Sequence, residues 1–239
     1  MVDHPPNNRI LVVVASEIEA RAVAQGLGIE NWGEPWRTHP ITNLADLLLT
    51  GVGKSNAAGA VARAIDRSRY AALLSIGIAG TPEPESLPLS ASIAVESATL
   101  ADEGIETESG FLTLSDMGFP PLPGVLDTFP ADPRFFSALS RITDSAAHLA
   151  TVSTCSGTDA RAARVRARIA GSPRAEDMET ASIALVCARL RLPWGGIRII
   201  SNTTGNREQQ KWDLKAALER LSALIGPAID AGSNALTSS

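Results

Sequence analysis

Apolar positions fall into short unbroken runs separated by stretches with helical spacing. Residues 10–15 (ILVVVA) form such a run, as expected of a strand buried on both faces, and a helix is predicted from Ile18. Residues 47–50 form a second buried strand that stops at Gly51. In the helix after it, Ala57, Ala60, Val61, Ala64 and Ile65 share one face. Residues 73–76 are a third strand, broken by Gly77 and Gly80, and 91–100 a longer one with alternating character. The proline-rich stretch 110–133, carrying Phe111, Phe119 and Phe129, reads as a long loop of the kind that serves as a lid or subunit contact. The second half repeats the rhythm. It predicts a helix over 134–142, a strand over 149–153 and an arginine-rich helix over 160–170. A further helix carries the buried stripe Met178, Ala181, Leu185 and Ala188. A strand over 194–200 follows, then a last helix lined by Leu214, Leu218, Leu221 and Ile225. Strands alternating with helices predict an α/β domain with a mainly parallel sheet. No repeat or linker divides the chain, so one ordered domain is predicted over 9–232, with disordered ends at 1–8 and 233–239.

Composition narrows the function classes. The chain has 239 residues, 44% hydrophobic and 20% charged, which suits a globular protein with a sizeable core. A net charge of -5 offers no broad basic field, so nucleic acid is not an expected partner. Prolines and asparagines at the start replace the apolar core of a signal peptide, and no apolar run reaches membrane-spanning length. Cys155 and Cys187 are far apart without metal-type spacing, and His4, His39 and His148 are scattered. A reduced, cytoplasmic protein without metal, cofactor or membrane partner is the expectation.

Two local motifs mislead. Gly53-Lys54-Ser55 ends like a phosphate-binding P-loop, but Leu48 stands where that loop needs a glycine. Gly51-Val52-Gly53 lacks the third glycine of the dinucleotide fingerprint, since position 56 is asparagine. A tight strand-to-helix turn accounts for both. Ser156 lacks the glycines of a nucleophile elbow.

Five segments taken together are more specific. They are Ala15-Ser16-Glu17-Ile18-Glu19, Gly51 to Ala58 (GVGKSNAA), Gly77-Ile78-Ala79-Gly80, Asp177-Met178-Glu179 and Arg198-Ile199-Ile200-Ser201-Asn202. In this order and spacing, from residue 10 to about 225, the chain resembles the nucleoside phosphorylase and nucleosidase superfamily. That resemblance implies a single α/β domain on a twisted, mixed central sheet flanked by helices, with the site at strand ends. It also implies cleavage of an N-glycosidic bond through an oxocarbenium-like ribose, and a homo-oligomer, a dimer or an assembly of dimers. Glu19 matches the family carboxylate that activates water, its competing role being a helix N-terminal acid, which Glu17 could fill instead. Glu179 matches the acid that accepts bonds from the ribose hydroxyls, and Met178 the side chain that packs on the sugar. Ile78, Ala79 and Gly80, with Gly157 and Thr158, match backbone that lines the nucleoside. No residue near Ser156-Gly157-Thr158-Asp159 matches the aromatic that stacks on the base in adenine-directed relatives.

Asn202 departs from those relatives, which carry an aspartate that protonates purine N7. An amide donates hydrogen bonds without giving up a proton, which suits the N7 and O6 acceptors of a 6-oxopurine, although an amide also pairs with adenine. Ser75-Ile76 stand before Gly77 where phosphorylases of the superfamily carry a phosphate-clamping arginine, so water is the expected nucleophile. Asp102-Glu103-Gly104 and the run from Ser201 to Arg207, followed by Trp212, are similar to the futalosine-hydrolase group of the superfamily, which serves menaquinone biosynthesis. Arg207 then either meets the carboxylate of that substrate's aromatic appendage or anchors its loop through an ion pair. Arg198 is open between a site carboxylate and a structural salt bridge. The substrate expected on all these grounds is a small-molecule purine nucleoside.

Overall fold

The computed structural model describes residues 9–237. Strand β1 (Ile10–Val14) lies between two parallel neighbours, β3 (Ala45–Leu49) and β4 (Ala72–Thr81), and β2 (Thr38–Pro40) runs antiparallel along the outer edge of β3. Beyond β4 the sheet continues through β11 (Trp194–Thr203), β5 (Ser92–Leu100), β9 (Ser145–Thr151) and β10 (Arg174–Asp177), with β8 (Thr128–Pro130) alongside β5. The pairing of β5 with β11 is antiparallel, so the sheet is mixed. One further antiparallel pairing, Glu176 opposite Gly80, joins β10 back to β4. Accumulated strand twist thus closes β4, β11, β5, β9 and β10 into a ring, while β1, β3 and β2 form an open wing.

Alternation along β1 explains the two cores. Ile10, Val12 and Val14 point to one face, where they meet Val23 of α1 (Glu17–Leu27) and Leu221 and Ile225 of α6 (Leu214–Thr237). Leu11 and Val13 point to the other, against Ala57 and Val61 of α2 (Lys54–Ala64) and Ala181 and Ala184 of α5 (Thr180–Leu190). Helix α3 (Pro133–Ser140) packs on α6, and α4 (Asp159–Ala167) follows β9. Among the described residues no helix is long and apolar enough to cross a membrane.

Four expectations need correction. Strand β4 runs unbroken through Gly77 and Gly80. The stretch read as loop contains β7 (Gly110–Thr113), which pairs with β6 (Gly104–Thr107), and also β8. Met178 precedes α5 and is only half-buried, so it is not part of that helix's stripe. The tail is helical through Thr237 because Gly232 and Ser233 are buried, the glycine against Ile10 and Phe135. Residues 1–8 and 238–239, also expected to be disordered, lie outside the described residues.

Candidate active site

Parallel strands β1, β3, β4 and β11 end on the same edge of the sheet, and the turns that leave them carry the polar side chains. After β1, Ser16 caps α1 and Glu19 occupies its third position. The Ser16 and Glu19 side chains close a capping box. Glu19 Oε2 accepts from the N–H groups of Ala15 (3.1 Å) and Ser16 (2.8 Å) and from Ser16 Oγ (2.8 Å). Its Oε1 accepts from the Ile78 N–H of β4 at 2.9 Å. The capping role that Glu17 could have filled therefore belongs to Glu19 itself. A side chain at Gly77 would overlap Glu19 Oε1, which explains the glycine there.

Glu179 faces Glu19 across the same recess, which Thr50, Ser75 and Arg198 also line. Its carboxylate is buried and accepts the Gly53 N–H at 2.8 Å. Burial, and next the charge of Asp177, push the Glu179 carboxyl up to about 7. The Gly53 bond opposes that rise, and the Glu19 charge adds to it. Arg198 does not pair with Glu179. Its guanidinium lies 3.1 Å from Asp177 Oδ2 and donates to Ser75 Oγ (2.9 Å) and Thr180 Oγ1 (2.6 Å). Asp177 also accepts from Thr151 Oγ1 at 2.6 Å and from the Thr180 hydroxyl. The structural salt bridge is the alternative that holds. Lys54, beside Gly53, is likewise buried and paired, 2.7 Å from Asp102 and 2.9 Å from Glu103.

Two residues beyond Ile78 along β4, Gly80 floors a cavity of about 330 Å³, near the lower end of sizes typical for small ligands. Asn202, Gly157 and Arg207 line it, together with Glu176, Ser156, Thr204, Gln210 and Trp212. A register shift between Ile200 and Asn202 bulges β11 at Ser201 and re-aims the residues after it. Asn202 Oδ1 accepts from Ser201 Oγ at 2.8 Å, and its Nδ2 donates to the Thr203 carbonyl at 2.9 Å. Among the described residues nothing accepts its second amide hydrogen. A Cβ at Gly80 would stand 2.9 Å from that nitrogen, so only glycine leaves the amide room.

Other expected residues sit at the margin. Thr158 is exposed and its hydroxyl caps α4 by accepting the Arg161 N–H, so it does not line the cavity as expected. Ile78 and Ala79 contribute backbone: the Ile78 N–H to Glu19, the Ala79 carbonyl to Ser201 Oγ. Arg207 is exposed, bonds Gln210 Oε1 at 2.9 Å and lies over the Trp212 ring at 4.9 Å. Among the described residues no carboxylate pairs with it, so the loop-anchoring ion pair is not formed.

The sequence pattern does not single out Glu176, because its strand, Arg174–Asp177 (RAED), holds one apolar residue and writes no period. Without β10 in view, nothing aimed it at the site. A larger groove of about 510 Å³ between α3 and α6 contains no acid and no strand-end residue, so the chemistry lies elsewhere. Among the described residues no group of three or more His, Cys, Asp or Glu could hold a metal ion.

Residues 9–230 match the phosphorylase superfamily, and the chain belongs to that superfamily. Within it, the futalosine hydrolase of Streptomyces coelicolor is 33% identical over 225 residues, 91% of this chain and 93% of that protein. The native structure of futalosine hydrolase from Helicobacter pylori strain 26695 superposes with a TM-score of 0.70 at 14% identity, over 95% and 97% of the two chains. A methylthioadenosine/adenosylhomocysteine nucleosidase from Colwellia psychrerythraea 34H, in complex with adenine, superposes with a TM-score of 0.74 at 20% identity, over 95% of each chain. These two structural likenesses bear on the fold.

Proposed function

We propose that this enzyme hydrolyses the N-glycosidic bond of futalosine, releasing hypoxanthine and dehypoxanthine futalosine, as a cytoplasmic step of menaquinone biosynthesis. One observation carries the proposal beyond kinship with the Streptomyces coelicolor hydrolase. The amide of Asn202 is held over Gly80 in a small cavity, and two residues along β4 the Ile78 N–H meets the carboxylate of Glu19. Two residues of strand span roughly 6.6 Å, about the distance from a base to the far side of its ribose.

In the proposed reaction the base lies between Gly80, Gly157 and Asn202, with Ala79 and Ile78 along its edge toward the ribose. The free amide hydrogen of Asn202 donates to N7 as the C1'–N9 bond breaks and its electron pair moves onto the base. Glu179 accepts the ribose hydroxyls, and Met178 covers the sugar face. Glu19 has a lone pair left on Oε1 and accepts a proton from water as its oxygen attacks C1'. The base takes up one proton from solvent and leaves as hypoxanthine, and Glu19 returns to solvent the proton it took from water. Arg207, with which no carboxylate of the described residues pairs, is assigned to the carboxylate of the substrate's appendage.

The test is base release from futalosine, inosine, methylthioadenosine and adenosylhomocysteine side by side. Futalosine should be cleaved fastest. Arg207→Ala should raise KM for futalosine about tenfold or more and leave inosine unchanged, as loss of one charge-assisted contact requires. Faster cleavage of methylthioadenosine would overturn the assignment. The enzyme is further proposed to act as a dimer of two copies. Ile105 and Leu112 are paired across β6 and β7 and exposed, while their neighbour Phe111 packs on Arg168 behind the hairpin. Sedimentation at the 25.0 kDa mass of one chain would refute it.

A further inference from the structure

We propose that Glu176 reads position N1 of the purine and, with Asn202, makes the site select a 6-oxo over a 6-amino base. This rests on the futalosine-hydrolase assignment and adds a specificity residue to it. Strand β4 has Asn202 of β11 opposite Gly80 on one side and Glu176 of β10 opposite the same Gly80 on the other. At strand spacings of about 4.8 Å, the two residues stand roughly 10 Å apart across a glycine. Both side chains line the same cavity. A purine seated over Gly80 therefore has an amide at one edge and a carboxylate at the other. With the free amide hydrogen on N7, beside O6, the next position around the six-membered ring is N1.

The Glu176 carboxylate is built to accept. The Ser156 N–H donates to Oε1 at 2.7 Å and Ser156 Oγ donates to Oε2 at 2.6 Å. Ser156 is itself 2% exposed, so the pair is fixed before any ligand arrives. Each oxygen keeps a lone pair directed elsewhere. Glu176 is 7% exposed, and among the described residues no cation forms an ion pair with it. Burying an unpaired acid is costly, and anchoring Ser156 alone could be done by an amide. Burial raises the carboxyl above its ordinary value, and the two Ser156 bonds oppose that rise. A hydrogen bond from a ligand N–H would oppose it further. Thr204, in the same wall, has a buried Oγ1 with no hydrogen-bond partner among the described residues, a second polar group of this cavity left for a ligand to satisfy.

The chemistry discriminates because the two base types differ at N1. A 6-oxopurine in its lactam form carries a hydrogen there, which the carboxylate accepts. A 6-aminopurine presents a lone pair, which faces the carboxylate oxygen with no hydrogen between them.

The experiment compares kcat/KM for futalosine and its 6-amino analogue in the wild type, Glu176→Gln and Glu176→Met. In Glu176→Gln the carbonyl keeps the Ser156 N–H, and the amide nitrogen faces Ser156 Oγ and offers its second hydrogen to N1. The 6-oxo to 6-amino ratio should fall by at least roughly tenfold. Glu176→Met removes the acceptor without adding a donor and should shift the ratio in the same direction by less. Independently of any variant, 1-methylhypoxanthine should inhibit the wild type at least roughly tenfold more weakly than hypoxanthine. Base release from futalosine with a ratio unchanged in both variants, or equal inhibition by the two bases, overturns the role of Glu176 alone. If the wild type releases no base from futalosine, the substrate assignment falls and this inference with it.

Discussion

Glu19 serves two structures at once, because its Oε2 closes the capping box of α1 while its Oε1 holds the Ile78 N–H of β4. In Glu19→Gln one oxygen becomes an NH2 group, and four donors already converge on this side chain. The amide oxygen can stay with Ala15 and Ser16, which leaves the new N–H groups facing the Ile78 N–H. We therefore expect the variant to lose about 1–3 kcal/mol of stability. It should also lose at least roughly a hundredfold in kcat, since an amide is a poor base. Thermal melts and steady-state kinetics on the same preparation check both, and near-normal turnover would remove Glu19 from the chemistry. Glu179 behaves oppositely. Its folded-state value of about 7 lies above the ordinary 4.5, so the folded protein holds this proton more tightly than the unfolded chain does. That contribution to stability is fully present below 4.5 and is lost as pH rises through about 7. Glu179→Gln should therefore stabilise the free protein at pH ~8, by on the order of 1–3 kcal/mol, and change it little at pH ~4.5. Wild-type kcat/KM should rise as pH climbs through about 7, because the ionised form accepts the ribose hydroxyls. A stability difference between the two proteins that does not vary with pH would contradict this account.

Strand β4 shows what a sequence pattern conceals at the scale of elements. Glycine weakens a strand, so Gly77 and Gly80 read as breaks, yet β4 runs through both. Each glycine is there because another chain segment's side chain lies against its Cα, Glu19 at one and Asn202 at the other. The apolar runs of β1 and β3 and the stripes of α2 and α6, apart from Leu214, which is exposed, are legible because burial on regular faces writes a period. Strands of three or four residues, β2, β6, β7, β8 and β10, write none, and β10 carries Glu176. The helical tail is concealed for a related reason, since Gly232 and Ser233 look like solvent-facing residues and are instead buried, Gly232 against Ile10 of β1 and Phe135 of α3. Of the site, Glu19, Glu179 and Asn202 stand out in the sequence because each sits in a motif at a strand end, whereas Gln210, and the way Ser156 and Thr204 face the cavity, depend on loops whose course only the folded chain sets. Gly80→Ala tests the close approach. Its methyl would stand 2.9 Å from Asn202 Nδ2 and 2.8 Å from Thr204 Cγ2, so the amide must shift by several tenths of an ångström. The variant should fold with β4 intact and lose roughly tenfold to a hundredfold in kcat/KM, as expected when an aligned donor is displaced from a charge-developing position. Full activity in Gly80→Ala would show that Asn202 does not contact the base from over this glycine.

Charge across the whole molecule decides between water and phosphate as nucleophile. Three cations from different elements near the strand ends, Lys54 of α2, Arg161 of α4 and Arg198 of β11, are already engaged, and Arg207, which lines the neighbouring cavity rather than the recess of Glu19 and Glu179, is assigned in the proposed reaction to the substrate's own carboxylate. Lys54 lies against Asp102 and Glu103, Arg161 reaches Asp102 at 3.2 Å, and Arg198 is locked to Asp177 in the core. Asp102 ties this arrangement to the loop after β9, since its Oδ2 also accepts the Ser153 N–H at 2.9 Å. Freeing Arg198 for a phosphate would leave the buried Asp177 carboxylate without its cation, at a cost of about 3–5 kcal/mol, while Lys54 and Arg161 are held together on Asp102. Glu19 and Glu179 add two acids to the recess where an anion would have to stand, and the chain as a whole carries a net charge of -5. Phosphate therefore has neither a clamp nor a favourable field, while a neutral water meets no such barrier. Adding inorganic phosphate at concentrations that saturate phosphorylases should leave the rate of base release unchanged apart from ionic-strength effects. The sugar product should be the free hydroxyl form, with no ribose 1-phosphate, and solvent labelled with 18O should place its label at C1'. Phosphate-dependent turnover, or a phosphorylated sugar product, would mean that one of these buried pairs opens during catalysis, and Arg198→Met would then abolish the phosphate dependence while Lys54→Met would report on the alternative pair.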